Sequence, residues 1–491
     1  MEYTIRKTII LITGLCLFAC KNEKEDKSGD KPNVLFIAID DMNDDINLLG
    51  TTYHIQTPGL EKIAQQGVLF TNAFCNTPAC NPSRSSILSG LYPATTGIYG
   101  NQTDWRAAIP DAITLPEYFK QNGYLTIGAG KIYHHQMNHA FHDDGAFDEF
   151  LKLPRYPDDP PPEKLNGLPV WIGGDRDGTS TSIPFDWGAR SYGKNHQHPD
   201  IRTVDWLIKK LDSIDEPFFM GAGIFRPHMP NYAPQEYFDM YPADSLVMPA
   251  LRKDDLKDLP QGALTMLDEG KPFIYNTIRK GSPDGKDKYK EALQAYYASC
   301  TFADAQIGRL FEALQKSKHA KNTIVIVWSD HGYHLGEKEH WEKFVLWDKA
   351  NHIPMIISGP GVPKGTRVDT PVSLIDIYPT LTELSGLPQK AGLEGNSLAG
   401  LMNGKDTIYP PVRMTYGYKN HAVRGRKWKY ISYNDGTEEL YNIEEDPNEW
   451  KNLAGDPTYD NIKDSLRDYL PSFNRSPMPD IVVSSGEPGT Y

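Results

Sequence analysis

The chain has 491 residues, of which 39% are hydrophobic and 11% aromatic, enough to bury large cores and too apolar for a disordered protein. Its 51 Lys and Arg against 64 Asp and Glu leave a net charge of −13, which argues against a nucleic-acid binder, because such proteins turn a broad basic face to phosphates. Five scattered cysteines, an odd number, exclude a disulfide framework, and the length accommodates about three equal domains or two unequal ones.

Arg6 and Lys7 precede an apolar run from Thr8 to Ala19, the length of a signal-peptide core and too short for the roughly 20 residues of a membrane-spanning helix. Residues 1–19 are therefore expected to be an export signal. The run ends Leu17-Phe18-Ala19-Cys20, which resembles a bacterial lipobox and implies lipidation of Cys20 as the mature N-terminus; an ordinary signal peptide cleaved nearby is the other reading. Residues 20–30 are charged and non-periodic, a solvated tether, and their acidic start resembles the surface-export signal of Bacteroidota lipoproteins. The expected location is the outer membrane, at the cell surface or on the periplasmic face, with the membrane met only through the lipid.

Val34 to Ile39 predicts a strand buried on both faces, ending abruptly at Asp40-Asp41. Thr57-Pro58 opens a helix through Leu60, Ile63 and Ala64 that Gly67 can stop. Asn81 as N-cap and Pro82 at the first helical position predict a second helix, with Cys80 just outside it and Arg84 one turn along. Leu125 to Ala129 reads as a weaker strand, followed by Lys131 and His134; Phe218 to Gly223 is another, followed by Arg226 and His228. Residues 151–200 are a Pro- and Gly-rich stretch without periodicity that contains Trp171, Trp187 and Tyr192, and 251–290 form a charged, turn-rich insertion. A helix from Tyr289 to Leu314 leads to a strand at Thr323 to Trp328, which runs into Ser329-Asp330-His331-Gly332, and Ser373 to Leu384 reads as a further helix. Beyond Gly386, short strands at Val412–Tyr416, Ala422–Arg424, Trp428–Tyr433 and Glu439–Tyr441, with Asn434-Asp435-Gly436 as a hairpin turn, predict a small antiparallel unit. The expected boundaries are 31–386 for an α/β domain with a mostly parallel sheet between helices, and 387–491 for a small α+β domain.

In an open parallel sheet the ligand crevice lies at the carboxyl ends of the strands, so four apolar runs that each end in Asp, His, Lys or Arg point to one composite site. Asp40, Asp41 and Asp330 there would repel one another without a cation, and mostly oxygen donors with the imidazole of His331 suit calcium first and magnesium second. At the start of the 80–90 helix, backbone N–H groups and Arg84 favour an anion. From the residues alone Cys80 is either a thiolate nucleophile or an inert structural cysteine.

The segment Cys80-Asn81-Pro82-Ser83-Arg84 with Ser89-Gly90 resembles the signature of type I sulfatases, in which the cysteine is oxidised to formylglycine; Ser89 stands where the family usually has Thr. Lys31-Pro32-Asn33, Gly130-Lys131-x-x-His134, Pro227-His228, Ser329-Asp330-His331-Gly332, Leu440-Tyr441-Asn442 and Asp446-Pro447-x-Glu449 occur in the sulfatase order, so the resemblance spans about residues 31 to 455. His331 after Asp330, and Leu335-Gly336-Glu337, are similar to the iduronate-2-sulfatase branch. The resemblance implies an alkaline-phosphatase-like large domain and a metal held by Asp40, Asp41, Asp330, His331 and modified Cys80. It also implies a formylglycine diol whose hydroxyl attacks the sulfate, Arg84 and Lys131 holding the diol, His134 as the base that expels sulfate, and Lys343 and His228 contacting the sulfate and protonating the leaving sugar oxygen.

The implied partners are a formylglycine-generating enzyme during maturation and a sulfated poly- or oligosaccharide rich in uronic acid, of ulvan or glycosaminoglycan type. A phosphodiesterase or phosphonate monoester hydrolase on the same scaffold, and a non-catalytic glycan-binding lipoprotein, are the alternatives. Cys75 and Cys300 are expected to be free buried thiols.

Overall fold

The computed structural model describes residues 31–51, 54–134, 142–143, 145–152, 171–172, 183–190, 198–269, 273–280, 287–405 and 409–480. The expected export signal, Cys20, the tether, Tyr192 and most of the 151–200 stretch lie outside the described residues.

The central sheet holds nine strands among the described residues. They are β1 (Asn33–Asp40), β2 (Gly67–Phe74), β3 (Leu125–Gly130), β4 (Glu149–Leu151), β5 (Phe218–Pro227), β6 (Thr323–Ser329), β7 (His352–Ser358), β8 (Thr366–Val368) and β9 (Val372–Ser373). Their order is β8-β2-β7-β6-β1-β5-β3-β4, with β9 also on β2. β7 runs antiparallel to both its neighbours, and the remaining pairings are parallel. The four strands whose ends carry the candidate site, β6, β1, β5 and β3, are therefore adjacent and point the same way.

Continuous apolar runs fit because both faces are covered. Alternate residues of β1 go to separate cores: Leu35, Ile37 and Ile39 pack with Leu60, Val204, Leu207 and Phe302, and Val34, Phe36 and Ala38 pack with Ile87, Phe119, Ile377 and Leu381. The first group of partners comes from helices α1 (Pro58–Ala64), α4 (Pro199–Ser213) and α5 (Tyr289–Lys316), introduced together with α2 (Cys80–Ser89), α3 (Leu115–Gln121) and α6 (Ile377–Leu384), which supply the second.

One expectation changes. The 251–290 insertion is not merely turns: Gln261–Glu269 and Phe273–Lys280 are helices whose Ala263, Met266, Ile274 and Ile278 are buried, an i, i+3, i+4 pattern that the surrounding charges obscure. Trp187 is buried, its strand Trp187–Ala189 pairing in parallel with Asn231–Ala233.

After α6 the chain builds the expected small sheet, β10 (Val412–Thr415), β11 (His421–Arg424), β12 (Trp428–Ser432) and β13 (Glu438–Asn442), each antiparallel to the next. Gly436 at φ +84° makes the β12–β13 turn, its N–H donating to the Tyr433 carbonyl at 3.0 Å. Helix α7 (Asp460–Arg467) covers one face through Leu466, against Val423, Tyr430 and Leu440. Among the described residues no helix is long and apolar enough to cross a membrane.

The crossing from β3 to the site depends on two glycines. Gly130 has φ +74°, and a Cβ there would lie 2.0 Å from the Gly223 carbonyl oxygen; a Cβ on Gly223 would lie 2.1 Å from the Lys131 carbonyl carbon. Backbone cannot yield as a flexible side chain can. Gly223→Ala is expected to cost at least about 2–3 kcal/mol in a urea unfolding curve, whereas Gly361→Ala, at φ +76° in open space, should cost only about 1–2 kcal/mol.

Candidate active site

In a regular strand Asp40 and Asp41 would point to opposite faces. Asp41 adopts φ +67°, which ends β1 and turns its carboxylate back beside that of Asp40. Its N–H donates to Asp330 Oδ1 at 3.2 Å, and the Tyr296 hydroxyl donates to its carbonyl at 2.8 Å, so the unusual conformation is held from two sides. Register does the rest: Ile39 pairs with Ser329 and Asp40 with Pro227, which sets Asp330, His331 and His228 along the same edge.

Helix α2 brings Cys80 and Arg84 to that edge on one face, four residues apart. It begins two residues earlier than expected. Cys80 is its first residue, Ala79 is the N-cap, and Ser83 N–H donates to the Ala79 carbonyl at 2.9 Å. Asn81 does not cap; its Nδ2 donates to the carbonyls of Thr103 (2.8 Å) and Gly100 (3.2 Å). Pro82 is tolerated because the first-turn N–H groups have no intrahelical acceptor to lose.

The candidate residues converge around Cys80 Sγ. It lies 3.2 Å from His331 Nε2 and 3.3 Å from Lys343 Nζ, which also donates to Asp41 Oδ1 at 2.6 Å. Lys131 Nζ donates to Asp40 Oδ2 at 2.5 Å. Arg84 spans the pair of strands, with Nε to Asp330 Oδ2 at 2.8 Å and Nη2 to Asp40 Oδ1 at 3.3 Å. The Ser83 hydroxyl donates to the Asp330 carbonyl at 2.6 Å. The Gly332 carbonyl accepts from His331 Nδ1 at 3.0 Å, which turns Nε2 to the cluster. His228 Nδ1 donates to the Met229 carbonyl at 2.8 Å, and His134 is half-buried at the edge of the same group.

Donor atoms of Asp40, Asp41, Cys80 and His331 lie within 4.8 Å of one another. Asp330 is not in this tightest set, because its oxygens turn to Arg84 Nε and to the Asp41 N–H; Oδ1 is 3.5 Å from His331 Nε2. The electrostatics match a cation site. Burial pushes the Asp330 carboxyl up to about 7 against the pull of Arg84 and His331, and burial with the neighbouring Asp40 charge raises Asp41 too. At Asp40 burial is outweighed by Lys131, His228 and Arg84, which hold it well below the usual carboxylate range. Burial opposes a thiolate at Cys80, yet Lys131, Lys343 and His331 bring it down to about 5. Two carboxyls forced up beside a third that stays ionised mark a crowding of like charges that a divalent cation would relieve, and such a cation fits the oxygen-rich donors. Burial, with Lys131 and Arg84, holds His134 well below the usual imidazole range and so neutral.

The family described as "Sulfatase" matches residues 32–387, and that described as "N-sulphoglucosamine sulphohydrolase, C-terminal" matches 336–476. The chain belongs to the sulfatase family. This sulfatase is 41% identical over 483 residues to a "Sulfatase" of Formosa agariphila, covering 94% of this chain and 92% of the relative. It is 27% identical to an "Ulvan-active sulfatase" of the same organism (95% and 86% covered) and 28% identical to the human "Iduronate 2-sulfatase" (77% and 73% covered). The phosphonate monoester hydrolase of Agrobacterium radiobacter shares the fold, with TM-score 0.73 at 22% identity, covering 89% of this chain and 94% of that one. The sulfatase is thus a sulfuric ester hydrolase with an alkaline-phosphatase-like sheet, as its motifs implied.

Two further supports hold the site in place. Lys349 Nζ donates to Asp45 Oδ1 at 2.5 Å and Asp44 Oδ1 at 3.0 Å, tying the loop after Asp41 to the one after His331; nothing in the sequence distinguishes this lysine from others. The second holds Lys343. Lys338, Glu339, Glu342 and Phe344 all have positive φ, from +50° to +94°, each costing about 1–2 kcal/mol. The small domain clamps this segment. Lys338 Nζ donates to Asp255 Oδ1 (2.7 Å) and to the Glu449 carbonyl (2.6 Å), while Asp348 accepts from Lys429 (2.7 Å) and Arg424 (3.1 Å). Glu449 closes the clamp, accepting the Asp348 N–H at 2.6 Å and pairing with Lys429 at 2.7 Å. Lys429 is fully buried between two carboxylates. Lys429→Ala is expected to lower stability by about 3–5 kcal/mol, read from urea unfolding, because it leaves buried charge unpaired.

Proposed function

We propose that this sulfatase removes sulfate esters from sugars of a uronic-acid-containing polysaccharide of ulvan or glycosaminoglycan type. The observation that carries the chemistry is the cluster of cations and carboxylates gathered at one sulfur: Lys343 and His331 reach Cys80 Sγ, while Lys131 and Arg84 are tied to Asp40 and Asp330 beside it. The similarity to an ulvan-active sulfatase and to iduronate 2-sulfatase supports the substrate class. Formylglycine made from Cys80 by a formylglycine-generating enzyme would supply the nucleophile, and calcium held by Asp40, Asp41, Asp330 and His331 would polarise the sulfate.

The chain's own residues do the remainder. Arg84, Lys131 and Lys343 present fixed positive charge where negative charge grows on the departing sulfuryl group, and they need no reorganisation because each is already hydrogen-bonded in place. His134, kept neutral by burial and by the neighbouring cations, is suited to take the proton whose loss expels sulfate. His228, whose Nδ1–H is committed to the Met229 carbonyl, would pass a proton through Nε2 to the leaving sugar oxygen. An exported protein anchored by a lipid on Cys20 at the outer membrane would meet such polysaccharides where they are degraded.

Desulfation of defined ulvan and glycosaminoglycan oligosaccharides, read by product sugar and sulfate position, tests the assignment. Cys80→Ala should abolish it, and phosphate diester turnover exceeding sulfate ester turnover would overturn it. His134→Ala should lower kcat by roughly 10²–10⁴-fold. Chelation with EGTA should remove activity and lower the melting temperature, with calcium restoring both more fully than magnesium. Protein made in a host without the formylglycine-generating enzyme should show a thiol mass for the Cys80 peptide and little activity; full activity with that thiol would count against the mechanism.

A further inference from the structure

Lys343, which reaches Cys80, is followed by a ring that the catalytic roles do not use. From Lys343 Nζ, itself 3.3 Å from Cys80 Sγ, the Phe344 ring centroid is 5.7 Å away, and the Tyr416 ring lies 5.8 Å from that of Phe344 with the planes 37° apart. Both side chains are half-buried, Tyr416 packing in part against the core that Val412, Ile431 and Tyr441 share, so each ring keeps only part of its surface outside the core. Phe344 is fixed at φ +77°, a conformation bulky residues rarely adopt, and its N–H donates to the Pro78 carbonyl at 3.1 Å, directly before the nucleophile helix. A strained aromatic beside the reacting atom is the kind of position that function rather than packing maintains.

Tyr416 opens the turn between β10 and β11. The base of that turn is pinned beside the nucleophile segment by Thr415 N–H to the Asn76 carbonyl at 2.9 Å, and it is closed by Tyr416 N–H to the Asn420 carbonyl at 3.1 Å. It reads Tyr416-Gly417-Tyr418-Lys419, with Gly417 at φ +68° and Lys419 at φ +63°. Tyr418 sets its ring against Tyr99 (5.9 Å, 72°), and Gly100, the next residue along from Tyr99, accepts from Asn81 of α2. Lys419 is exposed, with Nζ 5.1 Å from the Tyr418 ring. Two half-buried rings next to Lys343, and a third in the same turn with an exposed ammonium over it, offer apolar faces for the C–H side of a sugar and a cation for a neighbouring anionic group.

We infer that Phe344, Tyr416, Tyr418 and Lys419 form a saccharide subsite for the sugar next to the one that loses its sulfate, with Lys419 pairing to a second carboxylate or sulfate. The substrate is then an anionic oligosaccharide of at least two sugars rather than an isolated sulfated monosaccharide. This rests on the polysaccharide-sulfatase reading above.

Kinetics of the formylglycine-bearing enzyme and its Tyr416→Ala, Tyr416→Phe and Lys419→Ala variants, on p-nitrophenyl sulfate and on size-fractionated ulvan and heparan sulfate oligosaccharides, test it. Tyr416→Ala should raise KM for the oligosaccharide that the parent enzyme cleaves by about 10-fold with kcat little changed, leave p-nitrophenyl sulfate turnover as it was, and be rescued by Phe. Lys419→Ala should raise KM several-fold at low salt, with the difference closing at high salt. Equal loss on both substrates would make the turn merely structural and overturn the subsite. Unchanged oligosaccharide kinetics in Tyr416→Ala would overturn the subsite alone, whereas cleavage of p-nitrophenyl sulfate with no oligosaccharide of either kind accepted by the parent enzyme would overturn the polysaccharide reading with it.

Discussion

The structure is organised around a concentration of buried charge that cannot stand alone. Asp40, Asp41 and Asp330 sit within a few ångströms of a thiol, all out of contact with water, and the like charges have to be met by Arg84, Lys131, Lys343 and an imidazole drawn from other parts of the chain. Desolvated charges of one sign are tolerated only when partners are fixed at hydrogen-bond distance, so the fold is obliged to deliver those partners accurately. Three parallel strand ends, one helix N-terminus and one strained loop do so. The same arrangement that makes the unloaded cluster costly makes it receptive to a divalent cation and to an anionic ester.

The small C-terminal domain belongs to this solution rather than being an appendage. Its Lys429, Arg424 and Glu449 hold Asp348 and, with Asp255, the backbone run that places Lys343. The Asp446-Pro447-x-Glu449 motif thereby acquires a physical reason: Glu449 accepts the Asp348 N–H and pairs with Lys429. Its β10–β11 turn lies against the nucleophile segment through Thr415 and Asn76, so the proposed sugar subsite would be made by both domains together. A net charge of −13 need not hinder an anionic ester when the local field is set by Lys343 at the sulfur and by Lys131 and Arg84 on the carboxylates next to it.

Much of this was legible residue by residue. Strands buried on both faces announce themselves as unbroken apolar runs, which is why β1, β5 and β6 were plain and why their polar ends could be grouped into one site. The start of α2 was not, because Asn81-Pro82 satisfies the local rules for a cap while the tertiary contacts to Gly100 and Thr103 claim the Asn81 side chain instead. The two helices of the 251–290 insertion were hidden because exposed charges interrupt short apolar stripes. Lys343, by contrast, could be named only through family resemblance, since its reach depends on four left-handed residues that no periodicity marks.

The amino-acid sequence by itself determined the four strands that carry the site, that a mostly parallel sheet would gather Asp40, Asp41, Lys131, His228, Asp330 and His331 at one edge, and that Cys80 would lie at the start of a helix with Arg84 one turn along. Those outcomes follow from short-range periodicity and from the single direction in which parallel strands end. Tertiary structure alone decided that Asp330 turns to Arg84 and Asp41, that Lys349 and Lys429 brace the loops, and that Phe344 and Tyr416 face each other beside the sulfur. Such contacts join residues up to hundreds of positions apart, and side-chain type says nothing about them until the chain has closed.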